Sequence, residues 1–148
     1  MGLEIERKFL VRNHLLPALP APDQIAQGYL SVKPAVRVRL RTAPDGARRA
    51  YLTIKGRGLV SRAEFEYEVP AADGDALLAL CTRSLTKRRY VLGRWEIDEF
   101  TDRALWLAEI ELAREDEPFE RPAWLGEEVT HDPGYSNARL AAVTAAGR

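Results

Sequence analysis

Gly2-Leu3-Glu4-Ile5-Glu6-Arg7-Lys8-Phe9-Leu10-Val11 is the stretch that decides how the rest of the chain is read. In a β-strand successive side chains point to opposite faces. Glu4, Glu6 and Lys8 therefore share one face, while Leu3, Ile5, Phe9 and Val11 mark the segment as strand-forming. A single strand of this kind would sit equally well on a half-buried sheet with its charges in water. The same arrangement, however, returns in nearly every extended segment downstream.

Val36-Arg37-Val38-Arg39-Leu40-Arg41 alternates three guanidinium groups with three aliphatic side chains, and the turn Pro44-Asp45-Gly46 joins it to Arg49–Lys55 as a hairpin. Arg62 to Val69 sets Glu64, Glu66 and Glu68 against Phe65, Tyr67 and Val69. Ser84 to Leu92 places Lys87 and Arg89 together, Trp95–Phe100 carries Glu96 and Asp98, and Leu105–Leu112 carries Glu109 and Glu111. With Gln24–Val32, eight strands are expected. Asn13 to Gln24 holds Pro17, Pro20 and Pro22 and reads as a loop with one helical turn at His14 to Leu16. A short helix is expected from an N-cap at Asp73 to near Cys81, burying Leu77, Leu78 and Leu80, and a last helix from Asn137 through Ala146. Gly56-Arg57-Gly58 is a loop and not a phosphate-cradling motif, since no helix with Lys-Ser or Lys-Thr follows.

The charged faces could lie outward over a conventional core of Val36, Val38, Leu40, Leu52, Ile54, Phe65 and Tyr67. Segregation of sign argues otherwise. Three arginines occupy one strand and three glutamates another, whereas solvated faces mix signs and include Ser, Thr, Asn or Gln. Single-sign rows repel within a strand and call for a partner of opposite charge. Eight strands can close into a barrel wide enough for one small ligand, and a charged bore makes sense when water, metal ions and a polyanion fill it. The expected fold is mainly β (α+β): an eight-stranded antiparallel β-barrel tunnel with a few peripheral helices, as one domain over residues 1–148.

Lys plus Arg number 22 and Asp plus Glu number 22, so the net charge is zero. That balance argues against a general nucleic-acid binder. The single Cys81 excludes an internal disulfide framework and reads as a small apolar residue near a helix end. The chain shows no signal-peptide pattern and no run of eighteen apolar residues, so a soluble, cytoplasmic protein without membrane or nucleic-acid partners is expected. Trp95, Trp106 and Trp124 read as packing, and Glu68, Arg88 and Arg94 as surface charges.

Glu4 with Glu6, and Glu109 with Glu111, are neighbouring carboxylates about 6.6 Å apart along their strands. Such oxygen pairs suit a hard divalent cation, Mg2+ or Mn2+. His14 and His131 lie in loops, which leaves no ligand cluster for zinc. The basic set Lys8, Arg37, Arg39, Arg41, Lys55, Lys87 and Arg89 suits a linear triphosphate, with arginine forks gripping phosphate oxygens and lysines acting as compact charges.

The ordered set Glu4-x-Glu6-x-Lys8, Arg37 and Arg39 (or Arg39 and Arg41), Lys55, Glu64 and Glu66, Lys87 and Arg89, Asp98, and Glu109 with Glu111 resembles the CYTH superfamily, the triphosphate tunnel metalloenzymes, and is most similar to its short bacterial members. The resemblance implies metal-dependent hydrolysis of inorganic triphosphate, with Glu4, Glu6, Glu109 and Glu111, helped by Asp98, holding one or two metal ions. Glu64 and Glu66 are supporting acids. Lys8 would touch the substrate. Tyr29, in Gln27-Gly28-Tyr29, resembles a tyrosine that pairs with that lysine, so Lys8, Tyr29, Glu109 and Glu111 form the implied catalytic group. Asp132–Asn137 resembles a family segment with a basic residue before the tyrosine, where this chain has Gly134. The family also contains class IV adenylate cyclases and thiamine, nucleoside and RNA triphosphatases. A compact chain with short loops leaves little surface for an adenine, which favours inorganic triphosphate. A small-molecule triphosphate is thus the expected partner, with a homodimer as a further candidate assembly. A non-catalytic polyphosphate-binding barrel is the alternative of another class.

Overall fold

A computed structural model describes residues 2–58 and 60–142. Its strands are β1 (Gly2–Val11), β2 (Asp23–Val32), β3 (Ala35–Thr42), β4 (Arg48–Lys55), β5 (Ser61–Val69), β6 (Arg83–Leu92), β7 (Trp95–Phe100), β8 (Trp106–Glu111) and β9 (Leu125–Glu128). The sheet runs β5-β4-β3-β2-β6-β7-β8-β1, every neighbour antiparallel, and β1 then pairs back onto β5. Eight strands therefore close a barrel, as the alternation predicts.

Register carries the charged rows inward. Glu6 pairs with Glu111 and Lys8 with Glu109 across β1 and β8, Arg89 with Asp98 across β6 and β7, and Lys55 with Glu64 across β4 and β5. On the outer side of β1, β8 and β7, Ile5, Phe9, Ile97, Ala108 and Ile110 pack with Trp95, Leu112, Trp124 and Leu125. The Pro-rich segments after β1 and β8 supply Leu16, Leu19 and Phe119 to this cluster, and Phe119 meets Phe9 and Trp95 edge-on. Each such side chain removed from water stabilises the fold by about 1.5–3 kcal/mol. A barrel with a polar bore thus keeps its main apolar core on the outside.

Four details depart from the sequence reading. The tail contains a ninth strand, β9, which pairs with the end of β1 through Phe9 and Val11. Four residues beside Pro118, Pro122 and Trp124 carry no periodic signal, so only the tertiary partner reveals it. Helix α1 (Ala71–Leu80) begins after Pro70, placing Asp73 inside its first turn instead of at the N-cap. Its leucines are not buried: Leu80 is 70% exposed, and Gly74 is the buried contact. A Cβ at Gly74 would stand 2.5 Å from the Ala50 Cβ, so glycine lets the helix lie directly on β4. The last helix, α2, is described over Asn137–Ala142, and its expected continuation to Ala146 lies outside the described residues. The expected turn at His14 to Leu16 is a 3-10 turn at Asn13–Leu15. Among the described residues no helix is long and apolar enough to cross a membrane.

One end of the bore is apolar. Tyr29, Leu85, Phe100 and Leu107 form an apolar floor with Val129 and Ala141, and Leu140 and Tyr135 pack against it. Helix α2 sits over β2 and β6 at this end. Gly28 belongs to the same region, where a Cβ would come within 2.7 Å of the Cys81 Cβ. That close approach accounts for glycine in Gln27-Gly28-Tyr29.

Candidate active site

The bore encloses a cavity of about 270 Å³ lined by Glu4, Glu6, Glu109 and Glu111 on one side and Arg37, Arg39, Arg41 and Arg89 on the other. Glu64, Glu66, Glu96, Tyr51 and Asn137 complete the wall. Strands β1 and β8 bring the acids, β3 and β6 the cations. The inward convergence expected from the alternation is present for both rows.

Asp98 ties the cationic wall together. Its two oxygens accept from Arg89 Nε and Nη2 at 2.8 and 2.9 Å, and Lys87 Nζ stands 2.7 Å away. Burial raises the Asp98 pKa, but Arg89 and Lys87 outweigh it and hold the carboxyl well below the usual range. Expected as a helper in metal binding, Asp98 is instead fully engaged by the two cations it orients. Lys87 is wholly buried; loss of hydration drives its pKa down to about 7, against the pull of Asp98. It also donates to Asn137 Oδ1 at 3.1 Å. Arg39 donates to Gln27 Oε1 at 3.0 Å, and burial, then Arg37 and Arg89, work against its charge. Arg37 reaches Thr53 Oγ1 at 3.4 Å and Glu66 at 3.9 Å, while its Nε has no partner. Arg41, at the open mouth, pairs with Asp23. Arg37, Arg39 and Arg41 all line the cavity.

The acidic wall is less evenly satisfied. Lys55 Nζ donates to both Glu4 oxygens at 2.9 and 3.2 Å and lies 3.6 Å from Glu64. Arg62 donates to Glu4 at 3.1 Å and to Glu6 at 3.3 Å. Burial raises the Glu4 pKa, yet Lys55 and Arg62 bring it below the ordinary value. Glu6 is pushed up to about 8 by burial, with Glu109 and Glu4 adding repulsion. Glu109, buried too, is held low by Lys8 and Arg89, with Lys8 Nζ at 3.8 Å. Burial and the charges of Glu4 and Glu96 raise Glu111. Among the described residues, no three acidic, histidine or cysteine side chains are pre-arranged as a metal cage.

Lys8 and Tyr29 are not brought together as a pair. The Lys8 ammonium donates to the Tyr135 carbonyl at 2.9 Å. Tyr29 lies in the apolar floor, where burial raises its pKa and Arg37, Arg39 and Arg62 are its charged neighbours. Arg62 is the cavity-side cation that sequence reasoning missed. Its position two residues before Glu64 was the available signal, because period two puts it on the same inward face. Asn137 had no such signal, since a helix brings it to the bore from outside the barrel.

The CYTH domain family matches residues 2–144. An inorganic triphosphatase of Acetivibrio thermocellus is 39% identical, over 95% of this chain and 94% of that protein. An inorganic triphosphatase of Nitrosomonas europaea is 36% identical, over 93% and 96%. Among solved structures, the crystal structure of the inorganic triphosphatase NE1496 superposes with a TM-score of 0.63 at 33% identity, covering 93% of this chain and 96% of that one.

Proposed function

This chain belongs to the CYTH family, and from that premise we propose that it hydrolyses inorganic triphosphate to pyrophosphate and orthophosphate inside the barrel. The observation that carries this reading is the facing of two opposite rows, Arg37, Arg39, Arg41 and Arg89 against Glu4, Glu6, Glu109 and Glu111, across one enclosed space. Phosphoryl transfer needs mainly positioning and charge neutralisation. The cations grip the phosphate oxygens, with Arg37 Nε, a buried donor without a partner, held behind them. Asp98 fixes Arg89 and Lys87 in place before substrate arrives, and Gln27 and Thr53 do the same for Arg39 and Arg37.

Triphosphatases of this family are metal-dependent as a class. The acidic wall fits a divalent ion: Glu6, Glu109 and Glu111 lie together, and Glu6 and Glu111 have pKa values raised by burial first and then by repulsion from neighbouring carboxylates. Oxygen donors alone favour magnesium or manganese. Glu6, Glu109 and Glu111 would hold the ion, with Glu4 released from Lys55 and Arg62 as a further donor. The ion would supply charge neutralisation at the phosphate oxygens and a more acidic water. Lys8 stays beside Glu109 to contact a phosphate oxygen, and Lys55 serves the chain at the Glu4 side. Tyr29 is assigned to orienting Arg37 and not to proton transfer with Lys8.

The deciding experiment is phosphate release from tripolyphosphate, ATP and thiamine triphosphate with magnesium, manganese or chelator. Orthophosphate from tripolyphosphate, abolished by chelator, is expected. Conversion of ATP to cyclic AMP and pyrophosphate would overturn the hydrolase reading, and tight binding of tripolyphosphate with no turnover would make the barrel a binder.

A further inference from the structure

The barrel is closed along β1 by two different strands. Pairing with β5 ends at Ile5 opposite Ser61, and the Glu6 N–H then donates to the Val60 carbonyl at 3.0 Å. Pairing with β9 begins at Phe9 opposite Glu128. Between them Lys8 N–H donates to Thr130 Oγ1 at 2.9 Å, and Val129 N–H donates to the Lys8 carbonyl at 2.8 Å. The edge of β1 thus passes from β5 to β9 between Glu6 and Lys8, with Val60 and Thr130 as the partners on either side of the change.

A small space of about 20 Å³ lies in this seam, with Glu6, Lys8, Arg62, Thr130, Tyr135 and Ser136 on its walls. That is room for one water molecule, and its walls carry the several polar partners such a water needs. Glu6 is the wall it shares with the triphosphate cavity. Arg62 and Ser136 are the walls it shares with a groove of about 740 Å³ at the β2–β3 turn and the end of β4, which also carries Lys33 and Lys55. The small space therefore borders the triphosphate cavity at Glu6 and the groove at Arg62 and Ser136.

We propose that this seam is a water entry to the inner part of the triphosphate cavity, with Arg62, held by Glu4 and Glu6, as the positioning residue that limits it to molecules of water's size. The proposal rests on the hydrolase reading above. Each turnover consumes one water: its oxygen bonds to phosphorus, the bridging P–O bond breaks, pyrophosphate leaves, and the water's protons pass to phosphate oxygens and solvent. The inner end of the bore is apolar, so a bound triphosphate would lie between the mouth and that end. In-line displacement requires the water opposite the leaving oxygen. A lateral supply meets that need without the water passing the substrate.

The test is nucleophile partition in a water–methanol mixture, with orthophosphate and methyl phosphate separated by 31P NMR. Phosphate release by the wild type checks the hydrolase reading by itself; without it that reading fails, and the passage falls with it. An active wild type is expected to give almost no methyl phosphate, and a share matching methanol's abundance overturns the proposal. Arg62→Ala widens the seam and should raise the methyl phosphate share several-fold, whatever its total rate. Ser136→Leu narrows it and should lower kcat roughly tenfold at unchanged KM. An active Arg62→Ala with the wild-type share, or a folded Ser136→Leu with the wild-type kcat, overturns it equally; the wild-type share decides alone if both variants fail to fold.

Discussion

The β6–β7 wall and the β1–β8 wall are both built from buried charges on adjacent strands, yet they are left in opposite conditions. Asp98 on the first has a fork and an ammonium closed on it, and its pKa falls. Glu6 on the second is buried beside Glu109, Glu4 and Glu111 with Lys55 and Arg62 giving incomplete relief, and its pKa rises to about 8. Burial penalises both carboxyls, so neighbours decide the difference. One wall is complete as folded and presents fixed cations; the other is short of positive charge and waits for it. In the function proposed above, a metal ion would bring the positive charge that the second wall lacks, and triphosphate would meet the fixed cations of the first.

Neutralising the incomplete wall should have the largest effect. Glu6→Gln or Glu111→Gln is expected to cut turnover of tripolyphosphate by roughly 100- to 1000-fold, with an unchanged far-UV spectrum and a melting temperature no lower than the parent's. Near-normal turnover would remove both residues from the metal role. The complete wall should respond in stability. Asp98→Asn leaves Arg89 and Lys87 buried without their counter-charge, which costs about 3–5 kcal/mol. Urea unfolding should show it as a shift in midpoint, and tripolyphosphate should restore part of the loss by binding the folded state. An unaltered midpoint would mean that the two walls differ less than their hydrogen bonds indicate.

The strand walls were legible because period two carries through β3, β5 and β6 and separates sign from sign. Arg37, Arg39 and Arg41 needed only alternation to be placed on one face. What alternation does not contain is which neighbour each charge meets. Asp98 and Glu109 both read as acids for a metal ion, and only register sets the first opposite Arg89 and the second opposite Lys8. The exceptions lie where a residue's place depends on distant chain: β9 on the end of β1, Asn137 at the inner wall, and Tyr29, whose hydrophobic floor comes from β6, β7, β8 and α2.

Titration of Lys87 sharpens the same contrast from the cationic side. Its pKa in the folded protein, about 7, lies below its ordinary value of 10.5. Between those pH values the unfolded chain binds more protons than the folded one, so this residue alone favours folding increasingly as pH rises from 7. Ligand binding runs the other way. A bound triphosphate favours the ammonium form, so binding at pH 8 should take up protons, and affinity should weaken as pH rises further. Calorimetry in buffers of different ionisation enthalpy, without metal, measures the uptake. Lys87→Met should reduce it, and identical uptake in that variant would place the titrating group elsewhere.

The smallest effect is expected from a carboxylate that belongs to neither wall. Glu128 on β9 grips Arg7 on the outer face of β1, and Thr130 donates to it at 2.6 Å. Arg7 Cζ also lies 5.5 Å from the Phe119 ring. Arg7 holds the Glu128 pKa low, so the pair contributes stability above the ordinary carboxylate range and loses it as the pH falls through the lowered value. Both side chains are about a quarter exposed, and solvent screening keeps such a pair within about 1 kcal/mol. Glu128→Gln should therefore shift the urea midpoint slightly at pH 7 and less at acidic pH, while kcat and KM for tripolyphosphate stay at parental values. A large loss of turnover would instead mean that β9 transmits strain to Lys8 through Thr130, and that the outer and inner faces of β1 act as one unit.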